Sequence, residues 1–229
     1  MEIHKPKPWH GSREFLKEIG TIVIGVLIAL GAEQAVEWLH WRDQMGQTRE
    51  SLRAEIENNL AVEQDRARET PCVDRRLAEI HAILAAHAQG RPLRLVAAVG
   101  RPRDGAIYSN AASAAQSASV LVHMPLRERQ EDQSLYDQFR FVADLQLSER
   151  TTWGALALLD DQSVLTEGSW PLILRSYADA RNLNERLSTG LPGTIHDAAQ
   201  AGYHPGGTPP STHLPSVCIP IIARPSNVP

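Results

Sequence analysis

The chain has 229 residues with 42% apolar and 22% charged content, enough for one domain with a sizeable core. Its formal net charge of -4 leaves no basic excess of the kind that binds nucleic acid, so nucleic acid is not an expected partner. Many Ala, Leu, Glu, Gln and Arg residues, together with few β-branched runs outside the N-terminal region, favour an all-α fold.

The most informative segment is the uncharged apolar run IGTIVIGVLIALGA at residues 19–32. A helix of this length covers ~21 Å, which is shorter than the ~30 Å hydrocarbon core of a bilayer. The flanks lengthen it, because Phe15 and Leu16 precede the run and an apolar stripe that includes Trp38, Leu39 and Trp41 follows it. Residues 15–39 are therefore predicted to span a membrane, with the bilayer as partner and tryptophan at the interface.

Two other interpretations of this segment remain open. Basic residues before the run and a small-residue site at residues 29–31 are typical of a cleaved signal peptide. Glu14 and Glu18 argue against that reading, as does the helical phase that continues beyond Ala32. A buried core helix of a soluble domain is the third interpretation.

Lysine and arginine residues indicate the orientation of the span. Lys5, Lys7, Arg13 and Lys17 precede the uncharged apolar run, whereas Arg42 and Arg49 are the nearest that follow it. Since loops on the cytoplasmic side carry the excess of positive residues, residues 1–14 are expected in the cytoplasm and the rest outside.

Three residues within or beside the span are candidates for contact with a second membrane helix. Gly25 and Ala29 form a small-xxx-small pair that would let two helices approach closely. Glu33 is a charge at the end of the apolar run, and it either reaches for the interface or meets a partner in the membrane.

The segment REFLKEIGTIVIGVLIALGAEQAVEWLHWRDQ, residues 13–44, resembles the N-terminal signature of a family of uncharacterised bacterial single-pass membrane proteins. In that family a short Ile/Val/Gly/Ala helix ends in a Glu/Gln pair and an aromatic-rich segment. The resemblance implies a bacterial inner-membrane protein with a periplasmic C-terminal domain. It implies no activity.

Helical periodicity continues after the span. A stripe predicts a stalk helix that carries the membrane segment to about Arg68 and contains Trp38, Trp41, Met45, Leu52, Ile56 and Leu60. Thr70 and Pro71 are typical of a helix start, so a second helix is predicted from there to Gly90. Residues 91–105 are predicted as a loop, and the Ala- and Ser-rich residues 110–121 as a small helix packed between others.

The next amphipathic stretch begins at Pro125, as one helix or as two that break near Ser148. Its predicted buried face contains Leu135, Tyr136, Phe139, Val142, Leu145, Trp153, Leu156 and Leu159. The charged run at residues 127–132 is interpreted as a solvated face.

A last long helix is predicted from Trp170 to Gly190, with a stripe of Leu172, Leu174, Tyr177, Ala180, Leu183 and Leu187. Thr194 and Asp197 resemble a capping box for a further short helix that ends at Gly202. The chain thus divides into a cytoplasmic N-terminus (1–14), a span (15–39), a helical domain with its stalk (40–202) and an irregular Pro-rich tail (203–229) that either lies over the domain or is mobile.

The chain has two cysteines, Cys72 and Cys218, and in an oxidising compartment such a pair predicts a disulfide. The bridge would hold the tail against the helical body. The alternative is two unrelated buried thiols.

No motif for a catalytic nucleophile, nucleotide loop or zinc-protease helix occurs, so no catalytic residue, cofactor or metal is expected. His196, His204 and His213 lie near Asp197, but their spacing of 8 and 9 matches no metal-ligand pattern. The sequence favours an interaction or scaffolding module whose partner is another envelope protein or a second copy. A periplasmic small-ligand sensor or enzyme, with a site assembled from distant residues, is the alternative.

Overall fold

The computed structural model describes residues 11–91, 94–207 and 214–222. It contains four α-helices: α1 (Ser12–Ala88), α2 (Asn110–Ser117), α3 (Leu126–Leu156) and α4 (Trp170–Gln200). Short 3-10 helices, including Val120–His123 and Ser216–Cys218, connect or follow them. One isolated antiparallel bridge joins Leu95 to Ile222. The prediction of an all-α fold is confirmed for the described residues.

Helix α1 has two parts with opposite surroundings. Its 77 residues give a length of about 115 Å. The N-terminal part contains the one stretch in the described residues that is long and apolar enough to cross a membrane, with a mean hydropathy of 1.9 and none of that window buried. From Leu52 onward the same helix forms the centre of a bundle, where Ile56, Leu60 and Ile80 are fully buried.

The predicted break at Thr70 and Pro71 is wrong, because α1 passes through Pro71 without ending. Pro71 is exposed, so the position that lacks an N–H donor lies on the solvent side of the helix. Val73, close after the proline, is completely buried and Glu69, close before it, nearly so. Packing on the buried side therefore holds the helix together across a residue that interrupts it only on the solvent side.

Helices α3 and α4 pack on the second half of α1 in opposite directions. Arg49 pairs with Glu128 near the start of α3, and Arg66 pairs with Glu149 further along, so α1 and α3 run parallel. The α4 helix returns antiparallel, since its first residue, Trp170, stacks on His87 near the C-terminal end of α1. All eight residues predicted for the buried face of α3 and its continuation are buried, and α3 does not break at Ser148.

The predicted end of α4 at Gly190 and the capping box at Thr194 are also wrong. The helix continues to Gln200 and includes Pro192. Gly190 and Pro192 are exposed, whereas Leu187, Leu191 and Ala198 are buried, so the packed face again continues past residues that usually end a helix. At the other end, Leu172 and Leu174 are exposed instead of buried, because Ile173 and Ser176 take the inner face.

The segment between α1 and α2, residues 94–109, runs back along α1 as an extended loop, as predicted. Backbone N–H groups of Arg103 and Tyr108 donate to the side chains of Glu69 and Asn59, at 2.8 and 2.9 Å. The approach is close, since a Cβ atom at Gly105 would lie 2.3 Å from Val62 Cγ1. Glycine is therefore required there for the segment to lie on the helix.

The described part of the tail also lies on the domain. The N–H of Gly206 donates to the carbonyl of Glu57 at 2.8 Å, and the hydroxyl of Tyr203 donates to Asp132 at 2.6 Å. Further along, Cys218 is joined to Cys72 by a disulfide, with the two Cα atoms 4.8 Å apart. The predicted disulfide is therefore present, and it fixes the tail to the middle of the domain portion of α1.

Two arginines reinforce this attachment. The guanidinium of Arg75 donates to the carbonyl of Cys218, and that of Arg76 donates to the carbonyl of Ile219. Arg76 is completely buried and also pairs with Glu79 at 3.0 Å. Burial lowers the pKa of Arg76, although an arginine remains charged at any ordinary pH.

Removing the disulfide should destabilise the domain. It closes a loop with a sequence separation of 146, for which the chain-entropy model gives roughly 5 kcal/mol, with measured values commonly about 2 to 4 kcal/mol. We expect Cys72→Ser with Cys218→Ser to lower the melting temperature of the full chain in detergent by on the order of 10 °C. Near-ultraviolet circular dichroism measures this.

Reductant provides the matched control. It should lower the melting temperature of the native chain to that of the double variant and leave the variant unchanged. Equal melting temperatures for the oxidised chain and the variant would contradict the stabilising role.

Candidate functional site

The apolar part of α1 is exposed, and none of its membrane-length window is buried among the described residues. Gly25, Ala29 and Glu33 follow one another at intervals of four, so they lie along one side of this helix. All three are exposed, and a Cβ atom at Gly25 would have no neighbour within 4 Å. Their contact with a second helix stays a prediction.

A buried network of polar side chains joins the three long helices. Arg66 of α1 forms a double hydrogen bond to Glu149 of α3, at 2.7 and 3.1 Å, and the two side chains are only 1% and 5% exposed. Arg66 also donates to Asn184 of α4 at 3.1 Å, and Asn184 donates to Asp74 at 2.7 Å. A charged pair this deep has to be matched closely, because each charge alone would be costly to bury.

Asp74 brings this network to the surface in a groove between α1 and α4, which has a volume of about 610 Å³. Its lining includes His81, Tyr177, Arg181 and Glu185. The His81 and Tyr177 rings have centroids 5.9 Å apart, and the Arg181 guanidinium lies 5.9 Å from the Tyr177 ring. The groove thus combines an aromatic wall with both signs of charge.

Two of the polar side chains that line this groove are engaged within the domain. No cysteine or lysine is among its lining residues. The hydroxyl of Ser188 donates to the backbone carbonyl of Glu185 and not to His81. Asp74 is already engaged by Asn184. The groove thus presents an aromatic ring, a guanidinium and carboxylates to any molecule that enters it.

Glu63 is the most unusual ionisable group in the bundle. It is completely buried on α1, and neither carboxylate oxygen has a hydrogen-bond partner among the described residues. Burial raises the pKa of Glu63 from 4.5 to about 8, which favours the protonated carboxyl in the folded chain. No sequence signal indicated it, because a glutamate in a helix is normally exposed.

Other polar residues of α1 act as caps for neighbouring segments. The carboxylate of Glu55 accepts hydrogen bonds from the N–H groups of Asn110 and Ala111 at the start of α2, and from the hydroxyl of Tyr136. Asn59 both donates to and accepts from the backbone of Tyr108. These side chains fix where the connecting segment ends and α2 begins.

The charged run at residues 127–132 is only partly a solvated face. Arg127 is exposed and pairs with Glu131 at 2.7 Å, but Asp132 is buried and accepts the hydroxyl hydrogen of Tyr203. Burial is the main cause that raises the pKa of Asp132 and of Tyr203.

The histidines considered as metal ligands do not form a described site. His196 lies within 2.8 Å of Gln200, and His204 is exposed, while His213 lies outside the described residues. Within residues 11–91, 94–207 and 214–222, no group of three His, Cys, Asp or Glu side chains is arranged to hold a metal ion.

Comparisons with known proteins supply no relative for these features: no family model, curated protein or solved structure matches the chain. Function must therefore be argued from the chain itself, and the family resemblance of residues 13–44 stays a prediction.

The buried ion pair yields a test of how the helices are held together. We expect Glu149→Leu to destabilise the domain by about 3 to 5 kcal/mol, because it leaves the charge of Arg66 buried without its partner. Adding Arg66→Met should recover most of that loss, since the two apolar side chains can pack together. Thermal unfolding of the full chain in detergent measures both effects.

An exposed ion pair gives the matched control. Glu131→Leu removes the partner of Arg127 at the surface and should change stability by less than about 1 kcal/mol. A Glu149→Leu variant as stable as Glu131→Leu would show that the buried pair does not hold the helices in register.

Glu63 predicts a pH dependence of stability. The unfolded chain loses the Glu63 proton near pH 4.5, whereas the folded chain keeps it until about pH 8, so the free energy of unfolding falls as pH rises between these values. Each unit of difference corresponds to roughly 1.4 kcal/mol. We expect Glu63→Gln to stabilise the chain more at pH 8 than at pH 5, measured by thermal unfolding at both pH values.

Glu50, an exposed glutamate of the same helix, is the control position. In Glu50→Gln, the difference in stability between pH 5 and pH 8 should be the same as in the native chain. An equal pH dependence for the native chain and Glu63→Gln would contradict the raised pKa.

Proposed function

We propose that this chain is a membrane-anchored extracytoplasmic helical module of the bacterial inner membrane, with an interaction or scaffolding role. The observation that carries the proposal is the free apolar part of α1, whose membrane-length window has no buried residues. Soluble proteins rarely expose apolar patches of more than a few hundred Å², so this surface calls for a covering, and a bilayer has the required thickness.

The continuity of α1 supports an anchor more than a cleaved signal. The same helix that carries the apolar run becomes the central helix of the bundle, without a break between residues 12 and 88. Cleavage near residues 29–31 would separate the bundle from the apolar part of its own central helix.

The disulfide supports an extracytoplasmic domain. Structural disulfides persist in oxidising compartments and are rare in the bacterial cytoplasm. Together with the lysine and arginine bias, the Cys72 to Cys218 bridge favours a cytoplasmic N-terminus and a periplasmic bundle.

The interaction role rests on surfaces outside the core. Leu172 and Leu174 are 49% and 56% exposed on α4, and Phe141 is 52% exposed on α3. Exposed apolar side chains of this kind suit a protein partner or a second copy. The groove between α1 and α4 favours the alternative, a small-ligand sensor, because His81, Arg181 and Asp74 converge on its walls.

Charged substitutions in the apolar run test the anchor. Ile24→Asp with Leu27→Asp places two carboxylates at the middle of the span, where each costs about 2.5 to 3.5 kcal/mol. We expect this full-length variant to be released from membranes by alkaline carbonate, whereas the native chain stays in the pellet. The pellet and supernatant fractions are compared by immunoblot.

Leu172→Asp with Leu174→Asp is the matched control, because it introduces the same charges at exposed leucines of the bundle. That variant should remain membrane-bound. For orientation, a reporter enzyme that is active only outside the cytoplasm should be active when it follows Pro229, and a silent reporter would reverse the proposed topology.

Gentle extraction of the tagged full-length chain tests the interaction role. We expect a stoichiometric envelope protein or a second copy, identified by mass spectrometry and by the mass of the complex. Recovery of a lone chain that binds a small molecule, lost on Arg181→Ala, would favour the sensor instead.

For a second copy packed through the small-residue pair, Gly25→Leu with Ala29→Leu should lower the oligomer mass. Gly31→Leu, on another side of the helix, should not change it.

A further inference from the structure

The bundle has a tip at the end nearest the apolar part of α1. The α2 helix runs toward that end, because Glu55 caps its first residues while its C-terminal end, at Ala118, lines a shared groove with Gln44. The 3-10 helix Val120–His123 then turns the chain, and α3 runs back, with Glu128 opposite Arg49. We call Val120–Leu126 the tip.

The level of the tip is fixed by one ring contact. His123 stacks on Trp41, with the ring centroids 3.8 Å apart and the planes 22° from parallel. Trp41 follows Leu39, the last residue of the proposed span, by two positions, which is about 3 Å along the helix axis. The bundle therefore begins close to the end of the apolar run.

The tip alternates between residues that face the bundle and residues that do not. Val120 and Met124 are each 3% exposed, whereas Val122 and Leu126 are 66% and 61% exposed. Val122 and Leu126 are therefore not part of the core of the described residues. Val122 adjoins His123, which stacks on Trp41, a residue of the type that is enriched at membrane interfaces, and Leu126 follows as the first residue of α3.

We infer that the tip is a second membrane contact, in which Val122 and Leu126 enter the interfacial layer of the bilayer beside the anchor helix. This inference rests on the proposed anchoring. It adds that a second surface of the chain, the tip, also contacts the bilayer. Interfacial segments bury apolar side chains about 5 to 10 Å into the boundary between headgroups and acyl chains. With a helix alone the bundle is free to rotate and tilt, whereas two contacts fix its face toward the membrane.

Depth-dependent quenching tests the inference on the full chain in phosphatidylcholine vesicles. Val122→Cys carries a polarity-sensitive fluorophore, and the native cysteines are not labelled because they form the disulfide. We expect a blue-shifted emission that is quenched several-fold more by nitroxide-bearing lipids than by aqueous iodide. Zwitterionic lipid is used so that the result does not depend on surface charge.

Val164→Cys is the matched control, since Val164 is 61% exposed and lies in the turn between α3 and α4, at the opposite end of the bundle. It should be quenched by iodide alone. A Val122 label that behaves like the Val164 label would overturn the inference. If Val122→Cys loses helical circular dichroism, Leu126→Cys replaces it.

A third label separates the two proposals. Ile24→Cys lies in the apolar run and should be quenched by lipid-borne nitroxide. Quenching by lipid-borne nitroxide at Ile24 but not at Val122 would support the membrane anchor and contradict the tip contact. Absence of lipid quenching at Ile24 removes the anchor, and with it the basis of the tip contact.

Discussion

Arg66 and Glu149 form the contact on which the arrangement of the three long helices depends. Apolar side chains on α1, α3 and α4 can slide past one another with small changes in buried area, but a buried guanidinium has only one position at which its carboxylate partner is within 2.7 Å. Asn184 extends the constraint to α4, so one arginine defines the register of two neighbours. A shift of one helical turn would leave both charges unpaired in the interior, which explains why a costly pair can still determine a single arrangement.

The apolar periodicity of α3 was sufficient to predict its buried face, because that helix has one clear stripe and no internal proline. For α1 and α4 the same reasoning ended the helices too early. Thr70 with Pro71 was interpreted as a helix start and Gly190 as a helix end, although Pro71 and Gly190 are exposed while packed residues continue on the inner side. Whether a proline ends a helix depends on which side of the helix it faces, and that is decided by tertiary packing.

The polar interior could not be predicted for a related reason. Arg66, Arg76, Glu63 and Asp132 are of residue types that normally face water, and their positions within charged, helix-forming segments suggested nothing else. Each is buried because of a partner far away in sequence, or in the case of Glu63 without a described partner. The disulfide was predictable because two cysteines allow a single pairing, whereas an arginine has many carboxylates to choose from.

The position of the disulfide determines the order in which the domain is completed during synthesis. Cys72 is made 146 residues before Cys218, so the central helix, α3 and α4 have all left the ribosome before the bridge can close. The bridge therefore closes last, when all three long helices are available to pack, and it joins to α1 a segment whose Val217 and Ile221 belong to the core. A chain kept in a reducing compartment would lack this covalent link, and its last segment would be held only by side-chain packing and by the hydrogen bonds from Arg75 and Arg76.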